Sequence, residues 1–471
     1  STPSSSFPSA IELSVSLLVI APLSAFSAWE EDVKICLGPD EEIIRLKGKN
    51  IESNLRKHKS KKMIISYDQA ARPESLNMLV NYLSENSSPL ILDESHRIKN
   101  GASLRARCAY HLSPLASEKL ILTGTPMPQD SDDLISQYNF LFPERPILES
   151  ERVLQEFRPI FVRTSKDELG LTPLKVHDDI YVRMNSVQRE VYDLLREDLI
   201  RRRSGFKLLD RAALRSLGLP ILRLLKFISN PSLIANDLGE ISDDAHNLAQ
   251  ELLEEGNGPK VEETCSLTRK LVSKGEKVLI WSCFRRNVEI ISEELNDCGS
   301  LWIHGGVKSG NEEDAEVREG IIKKFKEDKE TRVLVLNPAA SGEGISLHQV
   351  CHNAIYNDRT FNAAHYIQSQ DRIHRLGLPK NIETNIFLIQ LADSPDQGLH
   401  QRVSYKLHAM NEFLSSNNIE PNPDYWDETL ADSTNPDVQE EISDADEIIS
   451  LKDGGVDKED ASLLFDILDN D

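Results

Sequence analysis

The stretch Leu90-Ile91-Leu92-Asp93-Glu94-Ser95-His96-Arg97-Ile98-Lys99-Asn100 decides the fold. Leu90 to Leu92 is a short apolar run of the kind that a parallel sheet buries on both faces. Two adjacent carboxylates close it, at the strand end where open α/β sheets place their ligands. In phosphate chemistry such a pair divides the work, one acid holding a metal ion and the other orienting or deprotonating a water. A solvated Asp-Glu turn is the plain alternative, so the surrounding chain has to choose.

Around this motif the pattern is that of an α/β protein. Upstream, Leu17 to Ala21 is a buried strand leading to a helix start at Ser24, and Met63 to Ser66 is another. Downstream, Ala102 to His111 is helical and Lys119 to Leu122 is a strand ending in Thr123-Gly124-Thr125-Pro126. Between Ser186 and about Glu255 apolar residues recur at helical spacing, as in Leu214, Leu217, Ile221, Leu224 and Leu225. A second α/β unit follows, with strands at Lys277 to Ser282, Leu301 to His304, Arg332 to Leu336, Asn353 to Tyr356 and Glu383 to Ile389. Asn287 to Leu295, Ala315 to Phe325 and Val403 to Leu414 read as helices. The expected division is 1–172, 173–258, 259–410 and an acidic tail over 411–471.

Composition fits this reading. The 471 residues are 39% hydrophobic and 28% charged, enough for several cores. The net charge of -23 argues against a nucleic-acid partner until it is located. Pro421 to Asp471 carries 17 acids and 2 bases, which leaves only -8 on the preceding 420 residues. A partner protein is one use for such a tail. The run Arg56-Lys57-His58-Lys59-Ser60-Lys61-Lys62, five bases in seven residues, is either a solvated face or a phosphate contact at a sheet rim. Six cysteines without a Cys-x-x-Cys pair suit reduced, structural thiols in an intracellular protein, cytoplasmic or nuclear. Ile11 to Ala28 imitates a signal peptide but has no cationic region before it and is broken by Pro22 and serines, so no membrane segment is expected.

Two further stretches carry chemistry. Asn337 to Leu347 follows a strand and is dense in small residues, including Ser341, Gly342, Gly344 and Ser346, which lets backbone amides approach a phosphate. Gln368-Ser369-Gln370-Asp371-Arg372-Ile373-His374-Arg375-Leu376-Gly377 sets Arg372 and Arg375 three apart, on one face if the segment is helical, as a fork for a polyphosphate.

Taken together, Leu18 to Ser24, Asp93 to His96, Leu122 to Pro126, Ser341 to Gly344 and Gln368 to Gly377 resemble, in order, the helicase motifs of superfamily-two enzymes of the Swi/Snf-related type. Phe161 to Thr164, Gln188 to Tyr192 and Leu222 to Pro231 resemble that group's connecting segments, so the resemblance covers roughly residues 15 to 400. It implies two RecA-like parallel-sheet lobes, the first incomplete, with a helical insertion between them and movement along double-stranded DNA at the expense of ATP. Asp93 is then the Mg²⁺ ligand and Glu94 the residue that activates water. Arg372 and Arg375 are arginine fingers, of a kind that contributes roughly 10³ to 10⁵ in rate. His96, Gly342, Gly344 and Gln368 meet the nucleotide. Ser24, Ser66, Thr123, Thr125, Ser341 and Ser346 meet the DNA or couple it to hydrolysis.

Three departures qualify this. Ser95 stands where the family usually has Ala. Leu378-Pro379 replaces a frequent Gln. No Gly-x-x-x-x-Gly-Lys-Ser/Thr occurs anywhere in the sequence. The family carries that loop ahead of the Leu18 strand, so the expectation is a chain truncated before it and a very poor ATPase as it stands, since losing one comparable donor costs about 10² to 10³ in rate. A pseudo-ATPase scaffold that binds nucleic acid and an RNA helicase are the alternatives.

Overall fold

The computed structural model describes residues 16–57, 62–124, 126, 132–162, 170–206, 211–235, 238, 245–307, 317–338, 345–359, 363–375, 377–378, 382–400 and 403–404. The chain divides into two compact units, the first running to Val162.

The first unit is a five-stranded parallel sheet made of β1 (Leu17–Ala21), β2 (Ile43–Arg45), β3 (Lys62–Ser66), β4 (Leu90–Asp93) and β5 (Lys119–Leu122), in the order β2-β3-β1-β4-β5. Central β1 is buried on both faces, which is why its sequence is an unbroken apolar run. Helices α1 (Phe26–Leu37), α2 (Pro73–Glu85), α3 (Leu104–Leu112) and α4 (Asp133–Leu141) connect or cover the strands. α1 starts two residues later than expected, because a 3-10 turn occupies Leu23–Ala25. Ala21 lies beside Ser66, Leu92 beside Ile20, and Asp93 beside Leu122. Parallel register thus brings the ends of β1, β3, β4 and β5 to one rim. β5 closes one side of the described sheet with its residues only half-buried and Leu122 exposed.

The second unit holds a larger parallel sheet. Its strands are β6 (Lys175–Val176), β7 (Ile180–Val182), β8 (Val278–Trp281), β9 (Ser300–Ile303), β10 (Val333–Leu336), β11 (Asn353–Tyr356) and β12 (Asn385–Leu391), ordered β6-β12-β11-β8-β10-β9 with β7 also on β12. β6 and β7 are too short and too exposed to show an apolar pattern; pairing with β12 alone defines them. The helical block is α5 (Ser186–Ser204), α6 (Arg211–Ser229) and α7 (Ala245–Glu255). Asn185 opens α5 with a capping box, its side chain accepting from the Gln188 amide. The apolar stripes of the three helices form one core with Leu391, Leu399 and Val403. α8 (Pro259–Val272), α9 (Arg285–Glu294) and α10 (Arg318–Glu327) pack on the sheet, and α11 (Ala363–Gln370) follows β11.

A buried carboxylate fastens the end of α6 to this sheet. Asp358 accepts from Ser229 Oγ at 2.6 Å, Ser282 Oγ at 2.7 Å, the Cys283 amide at 2.6 Å and Asn357 Nδ2 at 2.9 Å. Asn287 Nδ2 in turn donates to both serines. All six cysteines are free and only Cys36 is exposed, with burial pushing the Cys108, Cys265 and Cys351 thiols up to about 12. Among the described residues no helix is long and apolar enough to cross a membrane. The acidic tail and all but two residues of the expected Val403–Leu414 helix lie outside the described residues.

Candidate functional site

β4 delivers Asp93 to the rim, and the chain then turns sharply. Glu94 takes a left-handed backbone conformation (φ 50°, ψ 54°), unusual for a residue with a side chain. Asp93 is held from three directions. Trp29 Nε1 on α1 donates to Oδ2 at 2.8 Å, the Glu94 amide donates to Oδ1 at 3.0 Å, and Tyr67 Oη donates to the Asp93 carbonyl at 2.8 Å. Glu94 Oε2 is buried and accepts no hydrogen bond, but it lies within ion-pair distance of His96 Nδ1, at 3.3 Å. An unsatisfied buried carboxylate oxygen beside a fixed aspartate has the hard-oxygen chemistry that suits Mg²⁺ with phosphate, or a water. Among the described residues no cluster of three or more His, Cys, Asp or Glu could hold a metal by itself.

The same turn is tied to the one after β5. His96 Nδ1 is 3.2 Å from Thr123 Oγ1. The Ser95 hydroxyl, fully buried, donates to Gln137 Oε1 at 2.6 Å, and Gln137 Nε2 donates to the Pro126 carbonyl at 2.8 Å. Ser95 is therefore more than a mild replacement of Ala: it is one end of a buried polar link. Ser24 lies half-buried in the turn after β1. Ser66 Oγ accepts from the Gln69 amide and so caps the short helix Tyr67–Ala70. Asp93, Glu94, His96, Thr123, Ser24 and Ser66 thus share the carboxyl rim of one sheet. Trp29, Tyr67 and Gln137 join them without any local signal in the sequence.

In the second unit the expected arginine fork is corrected. α11 ends at Gln370, so Arg372 and Arg375 lie in the turn beyond it and share no helical face. Arg372 is buried, and its guanidinium donates to the Gln368 carbonyl at 2.7 Å and the Ile345 carbonyl at 3.0 Å. It staples the loop before it, whereas Arg375 is exposed. Gln368 is buried with Nε2 making no hydrogen bond. Ser346 Oγ sits 2.9 Å from His348 Nδ1, and Gly377 (φ +97°) passes so close that a Cβ there would stand 2.9 Å from His348 Nε2. Ser341, Gly342, Gly344 and Thr125 lie outside the described residues.

Two parallel RecA-like sheets, the first ending in an acid pair, define a helicase-like protein. The SNF2-related domain matches residues 9–147 and the helicase conserved C-terminal domain matches residues 259–377. The chain belongs to the SNF2-related group of helicase-like proteins. It is similar to the ATP-dependent helicase FUN30 of Saccharomyces cerevisiae, 25% identical over 419 residues that cover 70% of this chain and 36% of that protein. It is also similar to the chromatin remodeling factor mit1 of Schizosaccharomyces pombe, 26% identical over 437 residues covering 85% of this chain and 30% of that protein. The chain thus spans about a third of the length of these relatives. The Pyrococcus furiosus Hef helicase domain has the same fold, with a TM-score of 0.50 at 16% identity, covering 82% of this chain and 88% of that one.

Proposed function

We propose that this chain is the motor portion of an ATP-dependent double-stranded-DNA translocase. The names of its relatives, an ATP-dependent helicase and a chromatin remodeling factor, support that reading. The observation that carries it is Glu94, whose left-handed turn leaves one carboxylate oxygen buried and unbonded beside a fixed Asp93. When bound, Mg²⁺ offsets phosphate charge and polarises the transferred phosphoryl group. Asp93 holds that ion, and Glu94 orients the attacking water and takes its proton. His96 and Thr123 carry the state of the acid pair to the turn after β5. Gln368 offers its unsatisfied amide to the nucleotide, together with the Gly342 and Gly344 backbone, and Arg375 stabilises charge on the γ-phosphate. Arg372 acts from behind by fixing the loop that contains Ser346. Ser24, Ser66, Thr123, Thr125, Ser341 and Ser346 meet the sugar-phosphate backbone, so binding is largely independent of sequence and weakens with salt. The functional divisions are 1–172, 173–258, 259–410 and an acidic, partner-binding 411–471.

Without a Gly-x-x-x-x-Gly-Lys-Ser/Thr loop in its 471 residues, the chain hydrolyses ATP slowly by itself. The same absence favours a second reading, a DNA-binding scaffold without turnover. Phosphate release is measured with duplex DNA, duplex RNA or neither, on this chain and on an extended protein carrying such a loop ahead of β1. DNA-stimulated release by the extended protein, abolished by Glu94→Gln while ATP still binds, is the expected result. DNA binding without any Glu94-dependent release establishes the scaffold, and equal stimulation by RNA refutes the DNA assignment.

A further inference from the structure

Trp29 has no part in the motifs, yet its indole N–H reaches a carboxylate oxygen of Asp93 at 2.8 Å across 64 residues of sequence. The ring is held for this. It packs half-buried against the core of Leu17, Val19, Phe26 and Ile91, on the first turn of a twelve-residue helix. Its neighbour Glu30 is clamped by Arg45, with Nε to Oε1 at 2.5 Å and Nη2 to Oε2 at 2.6 Å, and Arg45 also lies over the Phe26 ring. α1 is therefore anchored at the point from which Trp29 reaches out.

An indole N–H is a donor only, and a carboxylate oxygen has two lone-pair sites. A cation on Asp93 Oδ2 leaves the second site to Trp29, so the two ligands coexist on one oxygen but compete for its electron density. We propose that Trp29 is a positioning residue for cation binding at Asp93, fixing the carboxylate rotamer before the ion arrives, and that its indole senses the ion. The proposal rests on the reading of Asp93 as the cation ligand. It adds that α1, which follows the 3-10 turn containing Ser24, feels the occupancy of the acid pair directly. Removing a hydrogen-bonded partner of a ligating carboxylate typically weakens metal affinity about 10- to 100-fold.

The experiment uses the full chain and Mn²⁺ alone as probe. Free Mn²⁺ is counted by its electron paramagnetic resonance signal, and tryptophan emission is followed in the same titration. Wild type, Trp29→Phe and Asp93→Asn are compared, the Trp29→Phe difference subtracting Trp281, Trp302 and Trp426. The expected result is Mn²⁺ binding by wild type, lost in Asp93→Asn and weakened about tenfold in Trp29→Phe. A cation-dependent emission change should occur in wild type only. A purely structural tryptophan leaves Mn²⁺ affinity and the difference emission untouched, so wild-type affinity in Trp29→Phe, or a silent difference spectrum while Mn²⁺ binds, overturns the proposal and spares the Asp93 assignment. Equal binding by Asp93→Asn and wild type, or none by either, overturns both.

Discussion

Asp358→Ala tests whether a single buried carboxylate fastens the helical block to the second sheet. The side chain is 7% exposed and accepts four hydrogen bonds. Two donors, the Ser229 and Ser282 hydroxyls, can rotate to other acceptors when it is removed. The Cys283 backbone amide and the Asn357 side-chain amide are fixed in direction. Losing a charged acceptor costs each about 1.5–3 kcal/mol, so Asp358→Ala should destabilise the second unit by about 4 kcal/mol. Asp358→Asn keeps an oxygen for the three donors on Oδ2 but turns an NH₂ group toward the Cys283 amide, for about 2 kcal/mol. In a unit of about 250 residues these become roughly 8–16 °C and 4–8 °C in Tm. Thermal unfolding followed by the emission of buried Trp281 and half-buried Trp302 reads the second unit. Alanine and asparagine variants within about 1 °C of wild type, or equally damaged, would show that the network is incidental.

Two other outcomes follow from the same unit. Desolvation, then Arg375, Lys326 and His352, holds the His348 imidazole below its ordinary value, so the folded state favours the neutral ring. Its contribution to stability is complete above about pH 6.5 and is lost as pH falls toward the lower folded value, so Tm should drop below pH 6.5 less steeply in His348→Gln than in wild type. An identical slope in both rejects the assignment. In the loop-bearing protein Arg375→Ala should lower DNA-stimulated hydrolysis by about 10³ or more with duplex affinity nearly unchanged, and an intact rate refutes its role.

The legible part of this protein is its strands. β1, β4 and β11 stand where the apolar runs predict, because a strand buried on both faces is apolar along most of its four or five residues, and half-buried β5 is marked by its run Leu120 to Leu122. The edge strands β2, β6 and β7 escape notice for the opposite reason: half-exposed and two or three residues long, they exist by pairing with a neighbour. Arg372 and Arg375 show the hazard of assuming helical spacing, since the helix stops at Gln370 and one arginine turns inward to backbone carbonyls.

The acid pair has the same division. Sequence alone determines that Asp93 and Glu94 close a buried strand, that Thr123 follows the next one and that no phosphate loop occurs in the chain, because these depend on residue type and spacing. Tertiary structure decides that Glu94 turns left-handed with an unbonded oxygen, that Ser95 links through Gln137 to the neighbouring turn, and that Trp29 grips Asp93. Those contacts bridge 42 and 64 residues of chain, and only the parallel register of the sheet brings their ends to a common rim.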